Sequence, residues 1–311
     1  MKNYKQVFDE LQKELGKVII GQQDVVEQIL VSILCDANAL LEGYPGLAKT
    51  LTVRTLAELM DLKFSRIQNT PDLMPSDITG TYIIEESGGK RQFKFQPGPI
   101  FANIVLADEI NRATPKTQSA LLEAMQEKQV TVGTNTYKLD APFFVLATQN
   151  PIEQEGTYPL PEAQADRFLL KIKVAYPTFD QEIEIVDLYA AEAKDRRLKV
   201  MLNKNHLLTL QGLTRQVPIA NDIKQRAVKI IHATRSNKEI IQYGASPRAS
   251  IGLILASKAR ALIQGRNHVS NDDLNFLAYP ILRHRIVLNF EAERKGMSVD
   301  DAIKAILDKV K

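Results

Sequence analysis

The chain has 311 residues, 44% of them hydrophobic and 25% charged, with a formal net charge of +3. That composition excludes an intrinsically disordered chain and describes an ordinary globular protein, long enough for two packed units. No apolar run approaches the roughly 18 residues of a membrane helix. The charged, helical start "MKNYKQVFDELQKE" lacks the apolar segment of a signal peptide. One cysteine, Cys35, and four scattered histidines offer neither an internal disulfide nor a metal-ligand cluster. A reducing, cytoplasmic setting is therefore expected, with Cys35 a small core residue inside "ILVSILCDANALL".

Taken in chain order, the first half alternates short apolar runs with helical patterns. Strands are predicted at 38–43 ("NALLEG"), 63–68 ("KFSRIQ"), 104–109 ("IVLADE"), 143–148 ("FFVLAT") and 168–174 ("FLLKIKV"). Helical patterns separate them, among them "TLTVRTLAELM" and the Thr114-capped, Pro115-initiated "TPKTQSALLEAMQEK". Such an alternation predicts a parallel sheet covered on both faces. Two segments break the rhythm. "TYIIEESGGKRQFKF" (81–95) alternates around Ser87-Gly88-Gly89, and "QVTVGTNTYKLDAPFF" (129–144) turns at Gly133 to Asn135, so both read as hairpins inserted into the α/β unit.

From "YPTFD" (176–180) onward the pattern is helical only, at 180–194, 205–216, 221–235, 246–264, 270–278 and 298–310. Ser246 and Pro247 open one of these helices and Gly265 closes it; Ser298 and Asp301 resemble a capping box for the last. The expectation is an α/β domain over 1–178, carrying the two hairpins, followed by an all-α domain over 179–311. Charge divides unevenly between the halves: residues 1–181 carry 18 Lys and Arg against 23 Asp and Glu, residues 182–311 carry 22 against 14. Two differently solvated surfaces would produce this, and so would an interface between a basic C-terminal unit and an acidic neighbour such as another copy of the chain. The basic residues are dispersed and not interleaved with aromatics, which makes a weak nucleic-acid signature.

The chemistry concentrates in two stretches. "EGYPGLAKT" (42–50) follows the first predicted strand, opens a helix, and nearly matches the phosphate-loop pattern G-x-x-x-x-G-K-[ST]. Gly43, Lys49 and Thr50 are in place, and Ala48 holds the second glycine's seat. The loop Gly43, Tyr44, Pro45, Gly46, Leu47 and Ala48, with Leu51 in the first helical turn, would wrap phosphates with backbone N–H groups and a helix N-terminus. Lys49 would reach the β- and γ-phosphates and the Thr50 hydroxyl would hold Mg²⁺. Ala48 fits this role if the helix has already begun there and its φ is negative. "IVLADEI" (104–110) delivers Asp108 and Glu109 to the C-terminal end of a buried strand, where open α/β sheets bind ligands. Asp108 would hold Mg²⁺ and Glu109 would activate the attacking water. The two motifs are expected on adjacent strands. Guanine recognition would need N-K-x-D, and both "NKNH" (203–206) and "NKEI" (237–240) lack the aspartate, so ATP is favoured.

Three further residues have two readings each. Asn150, ending "FFVLATQN", suits orientation of a water beside a γ-phosphate or a simple turn before Pro151. Arg167 in "PEAQADRFLL" could pair with Asp166 or Glu162. Arg248 in "GASPRAS" lies in the first turn of a helix, where a cation is unfavourable unless an anion is near.

In this order, "GYPGLAKT", "VLADEINRA", "ATQNP", "PEAQADRF" and "GASPRA" resemble the MoxR family of AAA+ ATPases, related to the ATPase subunit of magnesium chelatase, over nearly the whole chain. The resemblance implies a P-loop NTPase (AAA+) parallel sheet flanked by helices, followed by an all-α lid, with the hairpins as the helix-2 insert and the pre-sensor-1 hairpin. It implies Asn150 as sensor 1, Arg248 as sensor 2 and Arg167 as the arginine finger. Within "VIIGQQ" (18–23), it implies that Ile20 and Gly21 touch the adenine. It further implies ATP and Mg²⁺, a hexameric homo-oligomeric ring, and chaperone-like remodelling or assembly of protein clients, among them von Willebrand factor A domain proteins. A nucleic-acid motor gripping a backbone with Lys90, Arg91 and Lys94, and a nucleotide-switched binding module with negligible turnover, remain as alternatives; Glu109 argues against the second.

Overall fold

The computed structural model describes residues 4–87, 90–151, 157–190 and 198–310. Two helices, α1 (Tyr4–Leu15) and α2 (Gln23–Leu34), precede the first strand, β1 (Ala39–Glu42). Then come α3 (Lys49–Leu59), β2 (Phe64–Gln68), α4 (Pro75–Thr79), β3 (Gly80–Ser87), β4 (Lys90–Pro97), β5 (Ile104–Asp108), α5 (Pro115–Glu127), β6 (Gln129–Val132), β7 (Asn135–Lys138), β8 (Phe144–Gln149), α6 (Glu162–Ala165) and β9 (Leu170–Lys173). All five predicted core strands form. They pair in the order β2–β5–β8–β1–β9, every pair parallel.

Period-2 alternation sorts the apolar runs to the two faces of this sheet. Leu41, Ile104, Leu106, Phe144 and Leu146 face α2 and α3 through Ile29, Leu30 and Leu56. Leu40, Val105, Ala107, Val145 and Ala147 face α5 through Leu121, Leu122 and Met125. Continuous hydrophobicity in these strands thus reflects burial on both sides.

The order corrects one expectation. The loop strand β1 and the acidic strand β5 are not neighbours; β8 lies between them. The residue after β8 is therefore placed between the two motifs.

Both hairpins form as separate two-stranded ribbons. The glycines of the first turn, 88–89, lie outside the described residues. The second hairpin is shorter than predicted, because Phe143 and Phe144 are buried in the main core and Phe144 opens β8. Gly133 takes φ +63° in its turn, where a Cβ is disfavoured. The ribbons lean on each other: Tyr137 stacks on Phe95 at 4.1 Å between ring centroids, and its hydroxyl lies 2.7 Å from that of Tyr82.

The C-terminal part comprises α7 (Phe179–Ala190), α8 (Lys204–Gln216), α9 (Asn221–Ser236), β10 (Ile241–Tyr243), α10 (Pro247–Ile263), α11 (Asn271–Leu282), β11 (Val287–Leu288), α12 (Phe290–Arg294) and α13 (Val299–Lys309). The predicted extension of α7 to 194 falls outside the described residues. This region is not all-α: β10 and β11 pair antiparallel. Helix α11 also runs past its predicted end through Pro280, because Leu277, Ile281 and Leu282 are all buried and their packing outweighs the missing backbone bond. The helices do not build a separate core; Leu253, Leu277 and Ile281 belong to the same buried cluster as Leu41 and Ile172. Cys35 lies in that cluster, and burial pushes its thiol far above the ordinary range, as expected for an inert core residue.

Candidate nucleotide site

The C-terminal ends of β1, β5 and β8 converge on a cavity of about 430 Å³, lined from the loop side by Pro45 to Leu51 and from the sheet side by Arg66, Asp108, Glu109, Thr148 and Asn150. The two motifs separated by dozens of residues therefore face one space. Gly43 opens the loop where no side chain fits: a Cβ there would stand 2.8 Å from the Val174 carbonyl. Gly46 holds φ +83°.

Ala48 departs from the expected backbone. It precedes α3 and has φ +53°, in the left-handed region, rather than a negative helical φ. The loop is not yet helix at that position, so Ala48 carries a backbone cost of about 1–2 kcal/mol that glycine would avoid.

The Lys49 ammonium donates to the carbonyls of Gly43 at 2.5 Å and Tyr44 at 2.7 Å, curling over its own loop. Burial lowers its pKa, while the charges of Asp108 and Glu109 act in the opposite sense. Opposite it, Asp108 is almost fully enclosed. Its Oδ1 accepts from the Thr148 hydroxyl at 2.6 Å, and its Oδ2 accepts from Arg66 Nη2 at 2.6 Å and Nε at 3.1 Å. Asn69 fixes the backbone there, its amide side chain and main-chain N–H both donating to the Asp108 carbonyl.

Glu109 turns out of the strand through a left-handed φ of +53°. Its N–H donates to Thr148 Oγ1 at 2.8 Å, and its carboxylate accepts from Arg112 at 2.9 Å. Thr148 thus ties both acidic residues to β8. Asn150, one residue past β8, lines the cavity between them and the loop.

A second cavity of about 110 Å³ shares Gly46, Leu47, Ala48 and Leu51 with the first. Ile20 and Gly21 line it, together with Pro177, Ile185 and Tyr189. Gln22 joins this segment to the loop, donating to the Leu47 carbonyl at 2.9 Å. The small, largely apolar chamber beside a polar one suits a base next to phosphates. Tyr44 lines neither; it stacks on Tyr176 at 5.2 Å.

Arg167 and Arg248 also line neither cavity. Among the described residues Arg167 forms no pair with Asp166 or Glu162; it is exposed, with one long bond of 3.4 Å to the Leu122 carbonyl. The anion near Arg248 is Asp166. That carboxylate accepts from Arg248 at 3.1 Å, from the Ser246 hydroxyl at 3.2 Å and from Arg285 at 2.6 Å. Ser246 stands at the start of α10 but donates to Asp166 instead of capping the helix.

Arg66, Thr148 and Arg285 were not singled out from the sequence. Arg66 has the faintest signal, an arginine sharing a strand face with Gln68 near the sheet end that binds ligands.

Among the described residues no group of three or more His, Cys, Asp or Glu could hold a metal ion. One carboxylate and one hydroxyl, Asp108 and Thr50, still fit Mg²⁺. That hard cation is usually held by one or two protein oxygens plus phosphates and waters rather than by a protein cage. No described helix is long and apolar enough to cross a membrane.

Comparison with known proteins agrees with this geometry. Residues 38–170 match the family described as "ATPase family associated with various cellular activities (AAA)", and residues 233–306 match "AAA lid domain". The chain is 44% identical over 305 residues to "Chaperone MoxR1" of Mycobacterium tuberculosis, covering 96% of this chain and 80% of the relative. It is 44% identical over 299 residues to "Uncharacterized protein YeaC" of Bacillus subtilis, covering 96% and 92%. A solved structure from Cytophaga hutchinsonii, described as a candidate ATPase, superposes with a TM-score of 0.92 at 46% identity, covering 99% of this chain and 95% of that one. With the parallel sheet, the Lys49 loop and the Asp108–Glu109 pair in one cavity, these matches show that the chain belongs to the MoxR family of AAA+ ATPases.

Proposed function

We propose that the chain binds Mg²⁺-ATP at the Lys49 loop, hydrolyses it with help from a neighbouring copy, and uses the cycle to remodel or assemble protein partners. The observation that carries this reading is the convergence of Lys49, Asp108, Glu109 and Asn150 on one cavity, with Arg167 and Arg248 outside it. Phosphate oxygens replace the Gly43 and Tyr44 carbonyls as partners of Lys49, and the loop N–H groups and the start of α3 hold the rest. Thr50 and Asp108 hold Mg²⁺, which supplies neutralisation of phosphate charge. Glu109 takes the proton of the attacking water and Asn150 orients that water. Ile20 and Gly21 take the adenine in the smaller chamber.

Arg167 is exposed and lines neither cavity of its own chain, so in this reading it serves the nucleotide of an adjoining subunit. Arg248, tied to the same turn through Asp166, belongs to the same face. An arginine supplied in this way is worth about 10³–10⁵ in rate. Using one face for the pocket and another for the arginines is a head-to-tail contact, which a closed ring, expected to be hexameric, satisfies. The domain division near residue 178 is retained in this reading, as are a cytoplasmic setting and a von Willebrand factor A domain client. Among the described side chains of the first hairpin, Lys94 pairs with Glu85 and Arg91 faces Glu86 across the strands, which does not favour a nucleic-acid motor.

The test is ATPase activity against protein concentration. Specific activity is expected to rise with concentration for the wild type and to stay flat for Arg167→Ala, whose ATP binding is unchanged. A mutant whose activity still climbs would remove Arg167 from this role.

A further inference from the structure

Each carboxylate of the Asp108–Glu109 pair is held by its own arginine, and the two arginines stand differently toward the larger cavity. Arg66 holds Asp108 and lines that cavity itself. Arg112 holds Glu109, its Nη1 donating to Oε2 at 2.9 Å, and lines neither cavity, although Glu109 does line the larger one. Among the described residues Arg112 is the only side chain hydrogen-bonded to the Glu109 carboxylate, and Oε2 is the only oxygen it engages.

The backbone that carries Arg112 is tied at every residue. Glu109 leaves β5 with φ +53°, its N–H already given to Thr148. The chain then makes a single turn, Ile110–Arg112, closed by the Arg112 N–H on the Glu109 carbonyl at 2.9 Å. Ile110, Asn111 and Ala113 are buried, which leaves Arg112, half-exposed, as the solvent side of the turn. Gln118, buried on α5, donates to the carbonyls of Ile110 at 3.1 Å and Tyr158 at 3.0 Å. The Tyr158 N–H in turn donates to the Asn111 carbonyl at 2.6 Å. The guanidinium is therefore presented to Glu109 from a braced turn.

We propose that Arg112 is a positioning residue for hydrolysis, fixing the Glu109 carboxylate through Oε2 so that Oε1 is kept for the proton of the attacking water. The inference rests on the reading of Glu109 as the base. A glutamate side chain free to rotate has several torsions to order before it can act, and one charge-assisted bond to a braced arginine orders them in advance. An oxygen bonded to a guanidinium is not free to take a proton, so the pair also selects which oxygen acts. Most half-exposed pairs three residues apart do little. Arg112 differs because its partner lines the cavity and its own main chain is fixed. Lying outside the cavity, it acts only through Glu109, and only within its own chain.

The experiment measures kcat and KM for ATP at a protein concentration where wild-type activity has stopped rising. Arg112→Ala is expected to lower kcat about fivefold or more, the upper end of what a half-exposed ion pair is worth. KM, binding of a fluorescent ATP analogue and the thermal midpoint should not change, which separates positioning from a structural role. Arg112→Lys should recover part of the loss, since the contact is a single bond from a cation. Adding Arg112→Ala to Glu109→Gln should cost nothing further, because the arginine has no other route to the reaction. A mixture of Arg112→Ala with Lys49→Ala should be no more active than the two measured separately. An unchanged or higher kcat for Arg112→Ala, a further loss in the Glu109→Gln background, or recovery in the mixture would each overturn the proposal. An inactive Glu109→Gln beside an unchanged Arg112→Ala removes Arg112 alone and leaves the base in place. Wild-type kcat in Glu109→Gln would instead remove the base itself, and the proposal with it.

Discussion

Arg66 holds an oxygen that a metal at this site would use. Asp108 Oδ2 accepts two bonds from its guanidinium, so Mg²⁺, if held there as proposed, would compete with Arg66 for that carboxylate. The arginine is half exposed, and such pairs are worth about 0.2–1 kcal/mol, roughly a 1.5- to 5-fold effect on binding. Arg66→Ala is therefore expected to tighten Mg²⁺-ADP binding by up to about fivefold relative to metal-free ADP, measured by calorimetry. Weaker binding in both conditions would instead assign Arg66 to the phosphates. Most of the site was legible at this scale because Lys49, Thr50, Asp108 and Glu109 carry a fixed spacing relative to strand ends. Arg66 and Thr148 were not, since one arginine or threonine within a strand has no signature until the sheet order shows what lies opposite. Ala48 failed differently: the pattern identifies a small residue, but the φ of +53° is set by how the loop joins α3.

At the scale of elements, the two inserted hairpins touch and are expected to move as one body. Tyr137 joins them through its ring on Phe95 and its hydroxyl beside Tyr82, while β5 leads to the second hairpin through α5 and β2 leads to the first through α4. Both ribbons are thus fed from strands whose ends line the larger cavity. Tyr137→Ala should cost about 1–2 kcal/mol locally. Amide exchange should quicken in β3, β4, β6 and β7 together and stay unchanged in β5 and β8. Faster exchange confined to β6 and β7 would show that the hairpins are independent. The core strands and the helix starts were readable because burial on both faces leaves long apolar runs. The β10–β11 pair was not: three and two residues are too short to show a period, and each gains its strand character from the partner alone. The end of α11 was misplaced because Pro280 is a local stop signal that burial of Ile281 and Leu282 overrides.

For the whole molecule, the cavity and the arginines outside it are separate features. The Lys49 loop lines one cavity, and Arg248 and Ser246 gather outside it around Asp166, the residue before Arg167. Arg285, nearly fully buried, anchors that gathering by donating to Asp166 and to the carbonyls of Phe168 and Leu169. Burial lowers its pKa and the Asp166 carboxylate opposes that shift, so Asp166 is its counter-ion. The last turn before β9 is thereby fixed to the helical region, next to the exposed Arg167. If Arg167 serves the pocket of a neighbouring copy, as proposed, activity requires copies that share sites. Mixing two inactive variants measures this directly. Lys49→Ala lacks the pocket and keeps the arginine; Arg167→Ala keeps the pocket and lacks the arginine. An equimolar mixture is predicted to recover activity, up to about a quarter of the wild type when subunits assemble at random. A mixture no more active than the two variants measured separately would contradict a site built from two copies.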